Sequence, residues 1–419
     1  PLLQSSAASD VYKRQPLFGL KVLDFTHVLA GPFATRILGD MGADVVKINS
    51  QTRAIGTQDA THPYYLMWNR NKRALAIDLT TDEGKEIAFE LCLKADIVID
   101  NFSVGVLDRW GIGYEKVRKI NTDIIYVQMS GMGEGGPWSD FVTYAPTIHA
   151  LSGLTISTGV PGREDIGLGF SYNDHQAGLH GAFAVLAALE GRRQHGKSQR
   201  IDISQFEIGC GFLGPALMDL SANGNTAGPS ANDLPFDQAC PHECYRCLSS
   251  TTDVNQSVSG EEWIAIACMN DKQWEKLTDL IGIADWAAIM KLDTVEARLQ
   301  HKNEINEKIE TWTSQGEAYT LMEFCQNAGI PAGVVQNGAD LIENDPQLKS
   351  SHFFSKLPDT HPDLGEQYLD RLPINFEKYE LDDYRRVRVI GEDNEEVMKD
   401  WLDRGAEEVK TLEDNEILK

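Results

Sequence analysis

KVLDFTHVLAGPFATRILGDMGADVVKI, residues 21–48, is the stretch that decides the fold. KVLDF is short, apolar and β-prone. THVLAGP reads as a turn around Gly31 and Pro32. Phe33 to Met41 repeats its apolar residues at helical spacing, and DVVKI comes next as a second strand. Strand, short helix and strand in one run predict a parallel pair joined by a right-handed crossover.

The same alternation continues outward. LAIDL (75–79) predicts a strand, Thr81 to Ala95 a helix opened by a Thr/Asp cap, and DIVID (96–100) a strand. VGVLDRWGIGYEKVRKI (104–120) is helical with a break, and DIIYVQMS (123–130) is again a strand. Repeated units of this kind predict an α/β, doubly wound domain. Further on, a glycine-containing loop from Gly167 leads to Asp174, and a helix of small and apolar residues runs from there to Gly191. QRIDISQFE (199–207) starts as a strand. Residues 222–238 are rich in Gly, Asn, Ser and Pro and read as a linker. Beyond the linker lies a smaller second region. It has a strand near EEWIAIAC (261–268), amphipathic helices to about Gln326, and renewed strand character in PAGVVQN (331–337). The tail from Gly391 is acidic and helical.

A chain of 419 residues is long enough for two domains or a two-lobed unit. Its net charge of −25 argues against a nucleic-acid binder, which needs a broad basic surface. An anionic small ligand held by a few local cations is compatible with it. Seven scattered cysteines do not make a disulfide scaffold, and a reducing cytoplasm fits them better. No apolar run reaches the ~18 residues of a membrane helix. Residues 1–15, PLLQSSAASDVYKRQ, differ in composition from the rest of the chain and read as a non-native leader.

Three motifs look sharper than they are. GRRQHGKS (191–198) matches the phosphate-loop pattern letter for letter, but a helix precedes it and a strand comes after it, the reverse of what phosphate binding needs. GMGEGG (131–136) comes after a strand but runs into Pro137 and Trp138, so it reads as a glycine turn at a strand's C-terminal end. CPHECYRC (240–247) gathers Cys240, His242, Cys244 and Cys247, yet no second cysteine pair exists to complete a zinc site, so turn and strand residues are the better reading. Asp174 is ambiguous on its own. An Asx residue ahead of a helix is usually an N-cap, and Asn173 or Asp174 could fill that role. A carboxylate can also be a covalent nucleophile. His27, His149 and His175 have no partner in the sequence and read as structural.

Taken together, the ordered blocks resemble class III CoA-transferases, the CaiB/BaiF family. The blocks are GLKVLDFTHVLAGPFATRILGDMGADVVKIN, NRNKRALAIDL, ADIVIDNFSVGVLDRWGIGYE, SGMGEGGP, NDHQAGLHGAFAVLAAL with GRRQHGKSQRIDISQFE, and later PHECYRC, EEWIAIACMNDKQW, AGIPAGVVQN and IGEDNEEV. The resemblance implies an interlocked homodimer. It implies a Rossmann-like large domain from residues 16–222 and 331–419, and a small α+β domain with its linker from 223–330. It implies Asp174 as the nucleophile that carries the acyl group and then CoA. It assigns the CoA nucleotide to Arg36, Lys72, Arg73, Asn101, Phe102 and Arg109. It places Gly167, Gly169 and Tyr144 near the substrate and developing oxyanions. CoA and acyl-CoA would be substrates, together with a free carboxylic acid; no metal and no permanently bound cofactor is implied. Phosphate charges and an adenine need cationic forks and an apolar face, so these residue types suit the ligand. Racemases of the same family carry a His-Asp pair where this chain has Tyr144 and Ala145, which disfavours proton exchange. The formyl-CoA branch has Gln where this chain has Leu29, which disfavours oxalate or formate. The presence of Asp174 speaks against a catalytically silent CoA-binding homologue.

Overall fold

The computed structural model describes residues 15–51, 56–163, 167–226, 228–234, 238–248, 262–357, 360–379, 381 and 384–419. Residues 1–14 of the expected leader lie outside them. The chain divides into two compact units. One comprises Pro1–Thr155, Gly167–Met218 and Gln347–Lys419; the other comprises Ile156–Ile166 and Asp219–Pro346.

The first unit is built on six parallel strands: β1 (Lys21–Asp24), β2 (Asp44–Asn49), β3 (Lys72–Ala76), β4 (Ile97–Asp100), β5 (Ile125–Gln128) and β6 (Gln199–Asp202). Their order is β3-β2-β1-β4-β5-β6 and every pairing is parallel. This order reverses direction between β1 and β4, the place where open α/β sheets open a crevice at the strands' C-terminal ends. Strands β1 to β5 carry apolar residues on both faces, as a sheet covered on both sides requires, whereas the edge strand β6 has only Ile201. On one face Leu23, Val46, Leu75 and Val98 pack against helix α2 (Asp82–Lys94) and residues of the C-terminal return, among them Val397, Trp401 and Leu412. On the other, Val22, Val45, Ile97 and Val127 pack against Ala34 and Leu38 of helix α1 (Ala30–Asp40) and Ala182 and Val185 of helix α4 (Tyr172–His195). Between these lies the short helix α3 (Ala145–Leu151), and α5 (Gln205–Gly211) comes after β6.

Helix α1 starts three residues earlier than its spacing predicts and takes in Gly31 and Pro32. Proline is tolerated in a first turn, where its missing N–H has no partner to lose. A Cβ at Gly31 would lie 2.3 Å from the Thr26 side chain, so glycine there serves packing and not a turn. Strand β3 is likewise displaced toward Lys72 from the predicted 75–79. Its outer edge is closed by side chains: Ala74 N donates to Asp393 Oδ2 at 2.8 Å and Ala76 N to Asn394 Oδ1 at 2.9 Å. An edge strand closed in this way offers no row of free backbone groups to another chain.

The second unit holds a three-stranded antiparallel sheet of β7 (His242–Arg246), β8 (Trp263–Ala267) and β9 (Ala332–Val334), with helices such as Asp271–Ile281 and Lys302–Thr313 against one face. One expected boundary is thereby corrected. The expectation places the stretch from residue 331 in the large domain, yet β9 pairs with β8 and Ile330 sits in this unit's core. Strand character alone does not say which sheet a strand joins. The pleat of β7 sends Tyr245 into the core and leaves His242 and Cys244 on the other face.

Candidate active site

The close approach of α4 to α1 fixes where Asp174 sits. A Cβ at Gly178 would lie 2.8 Å from the Ala30 carbonyl and 2.9 Å from the Phe33 ring; one at Gly181 would lie 2.8 Å from Met129 Sδ. Two glycines one turn apart therefore let the helix press against α1 and β5. The helix continues past Gly191, its expected end, to His195, and Gly196 closes it in the left-handed conformation at φ 63°. Strand β6 comes directly after, so the phosphate-loop pattern is a helix-to-strand turn.

At the other end, Ser171 is the N-cap. Neither Asn173 nor Asp174 caps the helix; both lie inside its first turn. That turn is held from two sides. Asn173 N donates to His149 Nε2 of α3 at 3.1 Å, and Asn173 Nδ2 donates to the Gln205 carbonyl at the start of α5 at 2.9 Å. Gln205 is in turn tied to the end of β5 through its side-chain bond to Met129 O at 2.9 Å. Asn173 Oδ1 is buried with no hydrogen-bond partner among the described residues, and Asp174 shares this feature at its Oδ2. Burial pushes its carboxyl up to about 6 from the usual 3.8, against the lowering pull of its own backbone N–H. His175 stands beside it, edge-on to Trp68 at 5.0 Å and to Phe33 at 5.5 Å. Of the loop residues expected near the substrate, Tyr144 precedes α3 and is exposed, a Cβ at Gly169 would meet open space, and Gly167 touches only Thr155 at ordinary contact distance. Packing does not demand either glycine.

A small cavity of about 40 Å³ opens at the C-terminal ends of β1 to β4, the switch point of the sheet. Phe25, Ile48 and Ile77 form its floor, with His27, Phe102 and Trp110 along one wall. His27 meets Phe102 edge-on at 4.9 Å, and Phe102 meets Trp110 at 5.4 Å. Beside this wall the β1–α1 turn is strained. Val28 has φ 65°, a left-handed conformation that a β-branched residue rarely adopts. Asn101 clamps it, accepting from His27 N at 2.7 Å and donating to His27 O at 2.8 Å. Asp174 does not line this cavity.

The six residues expected at the CoA nucleotide therefore separate. Phe102 lines the cavity, Asn101 shapes its wall, and Arg109 is exposed next to Trp110. The other three are committed elsewhere. Arg36 is buried, bonded to Asp370 at 2.7 Å and to Met67 O at 2.9 Å, and lies between the Phe33 and Trp68 rings. Lys72 gives its three donors to Asp24, Pro32 O and Asn69 Oδ1 at 2.9–3.0 Å. Arg73 bridges Asp44 and Asp400. Arg36 and Lys72 have their donors spent on buried partners and cannot also fork a phosphate, so those two assignments are corrected to structural roles; Arg73 is paired near the surface, its acid partners 34% and 50% exposed. Residue type alone also passes over Asp24, Lys47 and Arg70. Asp24 collects Lys47, Lys72, Thr26 and Thr35, and these partners hold its carboxyl far below the usual range despite burial. Arg70 joins Asp40 and Asp370. The signal is present as single charges inside apolar strands, KVLDF and DVVKI. Asp24 and Lys47 are register partners. His149, expected to be structural, is bound to the Asp174 turn.

No helix among the described residues is long and apolar enough to cross a membrane. The sequence profile of CoA-transferase family III matches residues 17–394. A formyl-CoA:oxalate CoA-transferase of Streptomyces avermitilis is 29% identical over 96% of this chain and 99% of its own. A succinate–glutarate CoA-transferase of Agrobacterium fabrum is 30% identical over 81% of this chain and 84% of its own. The crystal structure of a CaiB/BaiF family protein from Brucella suis is 30% identical, covers 93% of this chain and 100% of that one, and superposes with a TM-score of 0.81. With the profile running from before β1 through the Asp174 helix to the C-terminal return, the chain belongs to CoA-transferase family III.

Proposed function

We propose that this chain moves CoA from an acyl-CoA to a free carboxylic acid through intermediates carried on Asp174. The observation that supports this most is the buried Asp174 Oδ2 without a partner among the described residues, in a helical turn held from two sides. Most buried carboxylate oxygens are hydrogen-bonded; among the described residues only Asp100 Oδ2, at the end of β4, shares this state. With a carboxyl at about 6, most Asp174 is ionised at neutral pH, while its raised basicity favours attack on carbon.

The steps balance without metal or ATP. Asp174 attacks the donor thioester carbonyl; a C–O bond forms, the C–S bond breaks, and CoA leaves as thiolate. The thiolate attacks the aspartyl carbonyl of that anhydride, releasing the donor acid and leaving an aspartyl-CoA thioester. The acceptor carboxylate attacks this thioester, forming a second anhydride and freeing the thiolate again. Attack on the acceptor's acyl carbonyl gives the product and regenerates Asp174. Each oxyanion needs fixed donors, which open glycine loops and first-turn N–H groups can supply. The nucleotide end of CoA is assigned to the cavity beside Phe102, with Arg109 at its rim.

Two named relatives act on short acids, formyl/oxalate in one case and succinate/glutarate in the other. Leu29 is buried at the start of α1 and offers no polar group there, which supports an acceptor other than oxalate. The interlocked homodimer is part of the same proposal. Leu179 and Phe183, one turn apart on α4, are exposed, as are Trp138, Phe141, Val142 and Phe170, large apolar side chains that a partner chain would cover. Sedimentation of the purified protein reads this directly: a monomer at micromolar concentration refutes the dimer.

Asp174→Ala, assayed with succinyl-CoA or formyl-CoA against succinate, glutarate, malate and oxalate, tests the chemistry. Transfer is expected to vanish, and hydroxylamine is expected to trap a hydroxamate at Asp174 in the unaltered enzyme. Retained turnover refutes the role. One observation favours a racemase as second reading, since His149 does reach the Asp174 turn. Its Nε2 is already occupied by the Asn173 N–H, however, so it is not free to take a substrate proton. Exchange of an α-proton for deuterium without an acceptor acid is the result that would favour it.

A further inference from the structure

We infer that His149 is a positioning residue for the nucleophile: as neutral imidazole it accepts the Asn173 amide proton and so holds the α4 turn that aims Asp174. The inference rests on Asp174 being the nucleophile. The bond runs from Asn173 N to His149 Nε2 at 3.1 Å, so Nε2 carries a lone pair and the ring's proton is on Nδ1. His149 is 2 % exposed, which leaves little water to replace it as acceptor. Asn173 itself is fully buried, and its side chain is engaged on the opposite side by the Gln205 carbonyl. Asp174 is the next residue along the same turn. Moving Asn173 therefore moves the carboxylate.

A protonated ring cannot hold this arrangement. Nε2–H would face N–H, donor against donor, and a positive charge would stand at the positive end of a 24-residue helix. Burial already shifts His149 below the usual imidazole value, in the direction the bond requires. The titratable groups on the elements packed against α3 are Tyr172, Asp174 and His175 in the first turn of α4, His180, Glu190, Arg192, Arg193 and His195 further along it, and Glu207 and Cys210 on α5. Asp174 loses its proton with a midpoint near 6, so two separate events remove activity as the pH falls: protonation of the nucleophile and release of its turn.

The experiment uses His149→Gln and His149→Leu in the full-length enzyme, with steady-state CoA transfer from pH 4.5 to 8.5. Glutamine can still accept the Asn173 N–H and does not titrate; leucine fills the space and accepts nothing. The Leu variant is expected to lose at least tenfold in kcat with the KM for acyl-CoA within twofold. The Gln variant is expected to keep kcat at pH 8 within threefold. Its acidic limb should fall with a slope of one proton, where the natural enzyme approaches two. Hydroxylamine trapping at Asp174 is run on all three proteins. If the natural enzyme traps at Asp174 but the Leu variant keeps its kcat, or the Gln variant keeps the two-proton limb, the role of His149 is refuted while the nucleophile stands. If nothing traps at Asp174 in the natural enzyme, both fall. A Leu variant that does not fold leaves the Gln profile to decide.

Discussion

Two regions of the large unit bury carboxylates, and they bury them in opposite ways. Around β1 to β3 and the end of α1, Asp24 receives two lysines and two threonines, and Asp40 and Asp370 receive two arginines. In the first turn of α4, Asp174 leaves one buried oxygen with no partner among the described residues. Both regions take charge out of water. The first meets its acids with cationic side chains, so Asp24 and Asp370 are pushed down, whereas the Asp174 carboxyl is pushed up.

Breaking each region should therefore have opposite consequences. The largest effect belongs to Asp174→Ala: a loss of at least ~10³-fold in kcat, measured by CoA transfer, with the protein still folded and still binding CoA. Asp24→Asn should do the reverse. It leaves Lys47 and Lys72 buried against a neutral partner and should remove about 3–5 kcal/mol of stability, read from denaturant unfolding, before any effect on chemistry is measurable. If Asp24→Asn unfolds at the natural denaturant midpoint, the cluster is not what holds this edge of the sheet.

Asp174→Asn sharpens the contrast in stability. A carboxyl raised from 3.8 to about 6 is protonated more readily in the folded chain than in the unfolded one, so it weakens folding above that window by about 3 kcal/mol. The amide removes this cost. The variant should melt a few degrees higher at pH 8, with the gain shrinking as the pH falls from 6 toward 4 and absent below it. Equal melting temperatures at pH 8 would show that the Asp174 site is solvated, not desolvated.

Much of this was legible in the sequence, and the exceptions have a common cause. The parallel alternation emerged from KVLDF, the helical spacing after it and DVVKI, because strand and helix periodicities are local. Asp174 and Phe102 could be singled out because a resemblance ranks positions. The cationic residues could not be sorted. Arg36, Lys72 and Arg109 look alike as letters, and what separates them is whether an acid from elsewhere in the fold, Asp370 or Asp24, reaches them. Asp370 lies 334 residues along the chain from Arg36. The same holds for β9, whose partner strand no local pattern names, and for His149, whose role depends on an amide 24 residues away.

The smallest expected effect tests that sorting. Arg36→Met and Arg109→Ala each remove one arginine that residue type alone assigns to a phosphate. In Arg36→Met, Asp370 keeps Arg70 but loses a bond at 2.7 Å, and the Phe33 and Trp68 rings lose the guanidinium between them. Its cost should appear in unfolding, with the KM for acyl-CoA unchanged within twofold. Arg109 is exposed beside the Phe102 and Trp110 wall, and among the described residues its guanidinium reaches the Val104 carbonyl alone, at 3.5 Å. Its removal should leave stability alone and raise the KM for acyl-CoA by about fivefold, roughly 1 kcal/mol, an effect that shrinks as salt screens an exposed contact. A larger KM effect at Arg36 than at Arg109 would mean that the buried network opens when CoA binds, and would return Arg36 to the nucleotide site.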